Sequence, residues 1–301
     1  MREKVNGFVG VMAVAILCMV SGLCMVWGIA PVVLAVYVAA CAVCGRYMIT
    51  CIGCAAGVAA GSMGIAGLLH AYEYMIPGPA YSGVMVTEKY LVLLGLAMCL
   101  MKIVYSRNSR SYVRVIVVMS AAVLMGNIVV YADNMLMAAA YGVVEAAIFM
   151  CASVILKPGI GLLYTYICGD ASDVERDESW NISQGIVSLM ALAAVVLWVV
   201  PGEDIYGVNP AFMLALVLIL YAVYRTGAVY GCGMAAVAGS IVSVKLNDSR
   251  WLMWMLLVTL VMLIGRALTG RRKVSASLFY VLGCVLASVA DGTVLWNGSG
   301  R

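Results

Sequence analysis

The chain has 301 residues, of which 65% are apolar and 11% charged, against about 45–50% and about 25% in a soluble globular domain. A mean hydropathy of +1.07 and a small, scattered net charge of +4 exclude an ordinary soluble enzyme, a disordered tail and a nucleic-acid partner. The solvent for most of this chain is lipid.

A bilayer-crossing helix needs about 20 mostly apolar residues. In chain order, runs of this kind cover 5–27, 29–44, 47–69, 89–105, 113–131, 135–156, 183–201, 208–224, 226–244, 251–268 and 274–296. The sequence therefore predicts an all-α, polytopic transmembrane helix bundle of ten or eleven spans. Residues 1–301 read as a single integral membrane domain, with N-terminal spans in 5–156, a cytoplasmic acidic loop at about 157–182 and C-terminal spans in 183–296. Two boundaries stay open. Pro31 follows Trp27-Gly28 closely, so 5–44 breaks or kinks there. Runs 208–224 and 226–244 are joined through Arg225-Thr226-Gly227, a very tight connection. Arg2 and Lys4 precede the first run as in a signal peptide. That run exceeds an h-region of about 7–15 residues and lacks a small-x-small cleavage site, so it is read as a retained helix.

Orientation follows from Lys and Arg in the short loops. With eleven spans and a cytoplasmic N-terminus, all 18 Lys and Arg except Lys89, Lys245, Arg250 and Arg301 fall on the cytoplasmic side. Glu73, Asp133, Glu203 and Asp204 fall outside. Trp27, Trp180, Trp198, Trp251, Trp254 and Trp296 all lie near run ends, where an indole prefers the headgroup region. The loop at 157–182 holds Asp170, Asp173, Glu175, Asp177 and Glu178. It reads as a solvated segment or as a docking surface for a basic partner.

Helices in lipid associate through close backbone contact rather than apolar burial. Gly53, Gly57 and Gly61 repeat every four residues in the third run, with Gly64 and Gly67 on a nearby face. Gly227, Gly231, Ala235 and Gly239 form the same row in the ninth. Each row serves either internal packing or a self-association face between subunits.

Charge inside lipid is costly and marks a site or an internal pair. Glu145, flanked by Val143, Val144, Ala146 and Ala147, is the clearest instance. It reads as a structural carboxyl bonded to a neighbouring helix, or alternatively as the proton or cation site of a small-solute or ion transporter. Asp291 lies near the end of the last run, while Lys102 and Arg266 are close enough to helix ends to snorkel. Cys41/Cys44 and Cys51/Cys54 spell two CxxC pairs, but their separation is far below the roughly 15–20 residues of a zinc ribbon. His70 is the only histidine. Asn181-Ile182-Ser183 fits a glycosylation pattern that is common by chance. Neither a GxxxxGK[ST] phosphate loop nor a GxSxG elbow occurs. No catalytic residue, cofactor or metal is expected.

The order of features is familiar. Gly28-Ile29-Ala30-Pro31 opens an Ala-rich run, followed by the Gly-rich stretch from Gly53 to Gly67. Ser183-Gln184-Gly185-Ile186-Val187-Ser188 comes after the acidic loop, then the run from Tyr224 to Gly239, then Gly265-Arg266 through Arg271-Arg272-Lys273 into Leu278-Phe279-Tyr280. This series resembles the N-terminal multi-spanning membrane region of the stage II sporulation protein E family of spore-forming Firmicutes. The resemblance covers nearly the whole chain and rests on the order of the segments. It implies a membrane anchor and scaffold at the asymmetric sporulation septum, with sporulation or division proteins as partners. In that family a metal-dependent serine/threonine phosphatase follows the membrane region. No position here corresponds to that module, so no catalytic role is carried over. The resemblance implies an even number of spans, whereas the charge asymmetry favours eleven.

Overall fold

The structure is a computed structural model describing residues 2–23, 30–63, 83–103, 109–132, 134–168, 182–200, 209–269 and 278–285. Those residues are helical apart from short turns and contain no strand. The helices are α1 (Arg2–Gly22), α2 (Pro31–Cys44), α3 (Tyr47–Met63), α4 (Gly83–Ile103), α5 (Ser109–Val130), α6 (Met135–Cys168), α7 (Ile182–Val199), α8 (Pro210–Arg225), α9 (Ala228–Leu246) and α10 (Arg250–Thr269). A further helical stretch, α11, covers 278–285. Among the described residues, four segments are long and apolar enough to cross a membrane: Ser111–Val130, Met135–Ile167, Ala228–Leu246 and Arg250–Leu268. Shorter apolar helices cover Phe8–Gly22, Pro31–Cys44, Tyr47–Gly61, Gln184–Val199 and Pro210–Tyr224. The architecture is an all-α membrane bundle.

Local chemistry explains the breaks. Pro31 opens α2, where its missing N–H removes no helical bond. Gly45, at φ 63°, closes α2 with its N–H on the Cys41 carbonyl at 3.0 Å. Asn209 caps α8 by accepting from the Phe212 N–H at 2.9 Å, with Pro210 at the first helical position. Gly227 joins α8 to α9 at φ 108°, ψ −171°, a region essentially reserved for glycine. The tight connection is therefore a real helix–helix turn.

Two boundaries differ most from the sequence reading. That reading starts the fourth span at Lys89 and leaves Lys89 at a loop edge; α4 begins at Gly83 and encloses it. It also ends the sixth span at 156 and opens a loop at 157. Instead α6 runs on to Cys168 with Pro158 inside. The proline is tolerated because the backbone beside it is satisfied by a neighbouring helix: the Gly159 N–H donates to the Ser188 hydroxyl of α7 at 2.5 Å. The acidic cluster from Asp170 to Glu178, Gly64, Gly67, His70, Asn181 and Asp291 lie outside the described residues, as do Trp27, Trp180 and Trp296.

The fold divides into two compact units, 1–195 and 196–301. The division falls within α7 and not at the acidic loop. In the first unit α2 is the central pillar, packed by α1, α3, α4 and α6. Its residues from Pro31 to Cys41 are all buried, as expected of a helix apolar on every side. In the second unit α8, α9 and α10 pack on one another. Two of its basic side chains satisfy carbonyls at helix ends: Lys245 donates to the Val200 carbonyl and Arg266 to that of Val223. The last four carbonyls of a helix lack partners within it, so a cation from a neighbouring element serves both hydrogen bond and dipole.

Candidate functional site

The polar centre of the first unit lies where α4, α5 and α6 meet. The chain turns between α5 and α6, with the Tyr131 N–H on the Asn127 carbonyl at 2.9 Å and the Asn134 N–H on the Tyr131 carbonyl at 3.0 Å. The side chain of Asn134 accepts from Met137 N–H at 3.2 Å and caps α6. Tyr131 and Tyr141 stack across the hairpin at 5.3 Å between centroids. This hairpin holds Asn127 of α5 beside Glu145 of α6.

Glu145 is not isolated. Its Oε2 accepts from Lys89 Nζ at 2.8 Å, from the Tyr90 hydroxyl at 3.0 Å and from Asn127 Nδ2 at 2.8 Å. Lys89 also donates to Asn127 Oδ1 at 3.1 Å, and its ammonium stands 4.7 Å from the Tyr90 ring centroid. Asn127 Nδ2 further reaches the Val123 carbonyl at 3.1 Å. The Lys89 side chain is 5% exposed and that of Glu145 18%, while Tyr90 and Asn127 are fully buried. Glycine makes the room: a Cβ on Gly126 would lie 3.3 Å from the Lys89 stem, and one on Gly142 would lie 3.5 Å from Asn127 Cβ.

A single intramembrane charge costs about 2.5–3.5 kcal/mol at a helix centre on insertion scales. Here the two charges cancel within one hydrogen-bonded cluster. The ammonium stands where an inorganic cation approaching Oε2 would stand, so cation binding there requires Lys89 to leave. Chemically the cluster is a three-helix clasp.

Of this set the sequence reading singles out Glu145 alone. The rest carried little local signal: Lys89 heads an apolar run, where a lysine ordinarily snorkels, and Asn127 sits inside another, where a polar group in lipid calls for a partner that the sequence does not name. Lys89 lies 56 residues and Asn127 18 residues before Glu145, each on a different helix from it, so no periodicity within one helix relates them and only the fold pairs them.

Gly53, Gly57, Gly231 and Gly239 of the small-residue rows face other helices of the same chain, whereas a Cβ on Gly227 would meet no group within 4 Å. A Cβ on Gly53 would lie 2.7 Å from the Ala15 carbonyl oxygen, and one on Gly22 would lie 2.5 Å from Gly57 C. Gly57 in turn meets the Met19 carbonyl. Numbers rise together on both helices, so α1 and α3 run parallel with their backbones in contact. Gly61 is buried. In α9, Gly231 packs on Val223 of α8, Gly239 on Leu252 of α10, and Ala235 is fully buried. Gly265 and Gly283, which belong to neither row, bring α10 and α11 together against Phe279 and Val258.

The paired cysteines take ordinary packing positions. Cys41 Sγ is 3.1 Å from the Thr50 hydroxyl and Cys54 Sγ 4.0 Å from the Val33 carbonyl. Cys44 and Cys51 are half-buried. Comparison with protein-family models, with curated proteins and with solved structures finds no match.

Proposed function

We propose that this chain is a non-catalytic, multi-pass membrane anchor and assembly module. The observation that carries the reading is the occupancy of Glu145: one carboxylate oxygen gathers Lys89, Tyr90 and Asn127. The intramembrane charge is thereby spent on joining three helices. Backbone-to-backbone packing of α1 on α3 through Gly22 and Gly57 suits a rigid scaffold as well.

The setting comes from the resemblance to the stage II sporulation protein E membrane region. In this reading the N-terminus is cytoplasmic, the module gathers at the asymmetric septum of a sporulating cell, and its partners are septal sporulation or division proteins or further copies of itself. A fluorescent fusion should concentrate at the septum early in sporulation. Uniform fluorescence around the cell would reject the septal role.

A transporter using Glu145 is the competing reading, favoured by the 18% exposure of that side chain. Reconstituted uptake of an ion or small solute, abolished by Glu145→Gln, would establish it in place of the scaffold. The scaffold reading expects no uptake from either protein.

A further inference from the structure

A second polar seam in the first unit lies at the opposite end of the α5–α6 hairpin from the Glu145 clasp. There Tyr112 of α5 is 5% exposed and donates to the Ser153 carbonyl of α6 at 2.7 Å. The Lys157 ammonium stands 4.6 Å from the Tyr112 ring centroid, a distance typical of a cation held on an aromatic face. One turn before Lys157, the Ser153 hydroxyl is buried with no hydrogen-bond partner among the described residues. One residue after it comes Pro158.

Three helices meet at this end, α5 and α7 both antiparallel to α6. Because α5 and α6 form a hairpin, the start of α5 lies beside the later part of α6. Gly159 meets Ser188, and Leu162 meets Gly185, so α7 runs antiparallel to α6 and also starts at this end. The starts of α5 and α7 and the ends of α4 and α6 therefore lie on the same side as Lys157, so the helix dipoles there largely offset one another and the side chains decide the local charge. Lys102, at the end of α4, and Arg114, near the start of α5, add exposed positive charge at that end. Depth agrees with a membrane surface. At 1.5 Å per residue Lys157 stands about 33 Å along α6 from Met135, close to the roughly 30 Å of a hydrocarbon core. Beyond it the helix carries Tyr164 and Tyr166, the latter 85% exposed, as in an interfacial aromatic belt.

We propose that the α5–α6 seam at Lys157 seats the phosphate of an anionic phospholipid from the leaflet on this basic side. Lys157 supplies the cation and Tyr112 fixes its position. This inference rests on the chain's being embedded in a bilayer and not on the septal reading.

The test uses the full chain in neutral detergent, with thermal unfolding followed during titration of phosphatidylglycerol, phosphatidylcholine or inorganic phosphate. Phosphatidylglycerol should raise the midpoint in a saturable way, and the other two should not. Lys157→Gln should weaken the apparent affinity about fivefold, the worth of roughly one surface lysine on an anionic membrane. Lys157→Arg should keep it, as should the charge-matched control Arg250→Gln. If Lys157→Gln does not purify, Tyr112→Leu replaces it, with lipid retained through purification counted by native mass spectrometry and expected to fall. An equal response to phosphatidylcholine, or an unchanged affinity in Lys157→Gln or unchanged retention in Tyr112→Leu, would overturn the proposal. A matching response to inorganic phosphate would reassign the seam to free phosphate.

Discussion

Lys89 and Glu145 show what a single residue means in this chain: each is costly alone and acceptable together. Removing one partner of a buried pair strands the other charge at about 3–5 kcal/mol. Lys89→Met and Glu145→Gln should therefore each lower the unfolding midpoint in detergent strongly, while the double variant should lose much less than the sum. Additive losses would show that the two side chains do not act as a unit. Glu145 could be read from sequence because a carboxylate amid Val and Ala stands out. Lys89 could not, because a lysine at the edge of an apolar run looks like ordinary snorkelling.

Asp248, at the α9–α10 turn, obeys a different balance. Hydrogen bonds from the Arg250 side chain, at 2.9 and 3.1 Å, and from its backbone N–H, at 3.0 Å, hold the carboxyl below the usual carboxylate range. A folded value below the unfolded one adds stability above the unfolded pKa, and this stability is lost as pH falls through the folded value. Exposure makes the contribution small. Acid titration of the unfolding midpoint should show a weak loss that Asp248→Asn removes; an identical profile in the variant would refute the assignment.

At the scale of elements, glycine decides how closely helices approach. Gly57→Leu would push a side chain into the Met19 carbonyl, a backbone group that cannot rotate away. The variant should lose at least the roughly 1–3 kcal/mol of an overpacked core, read as a lower midpoint or failure to purify as a discrete species. Unchanged size and stability would remove the α1–α3 contact from the account. Gly227→Ala forces an L-residue to φ 108° at roughly 1–3 kcal/mol, and should likewise lower the midpoint.

Element existence was legible because apolar runs of about 20 residues have few other readings in a chain this poor in charge. Element ends were less legible. Hydropathy starts the fourth span at Lys89 because it cannot see the carboxylate that neutralises that lysine, and it stops the sixth at Lys157-Pro158 because it cannot see the Ser188 hydroxyl that satisfies the neighbouring backbone. In both places tertiary contact overrides a local signal. The rows at Gly53–Gly61 and Gly227–Gly239 could be seen as grooves, but which helix fills each one is a property of the fold.

For the whole molecule, the two units and the spread of Lys and Arg bear on topology. Reporter fusions after each loop should place residues following α6 on the cytoplasmic side and the α5–α6 turn outside. The opposite assignment would invert the orientation argued from charge. Beneath that lies the larger claim that apolar helices thread a bilayer repeatedly. Its most direct test is fractionation of cells expressing the full chain, with alkaline carbonate followed by detergent. The account predicts that the protein stays with the membrane pellet through carbonate and is released, still helical, only by detergent. A compact, monodisperse species in the carbonate supernatant, without detergent, would contradict it.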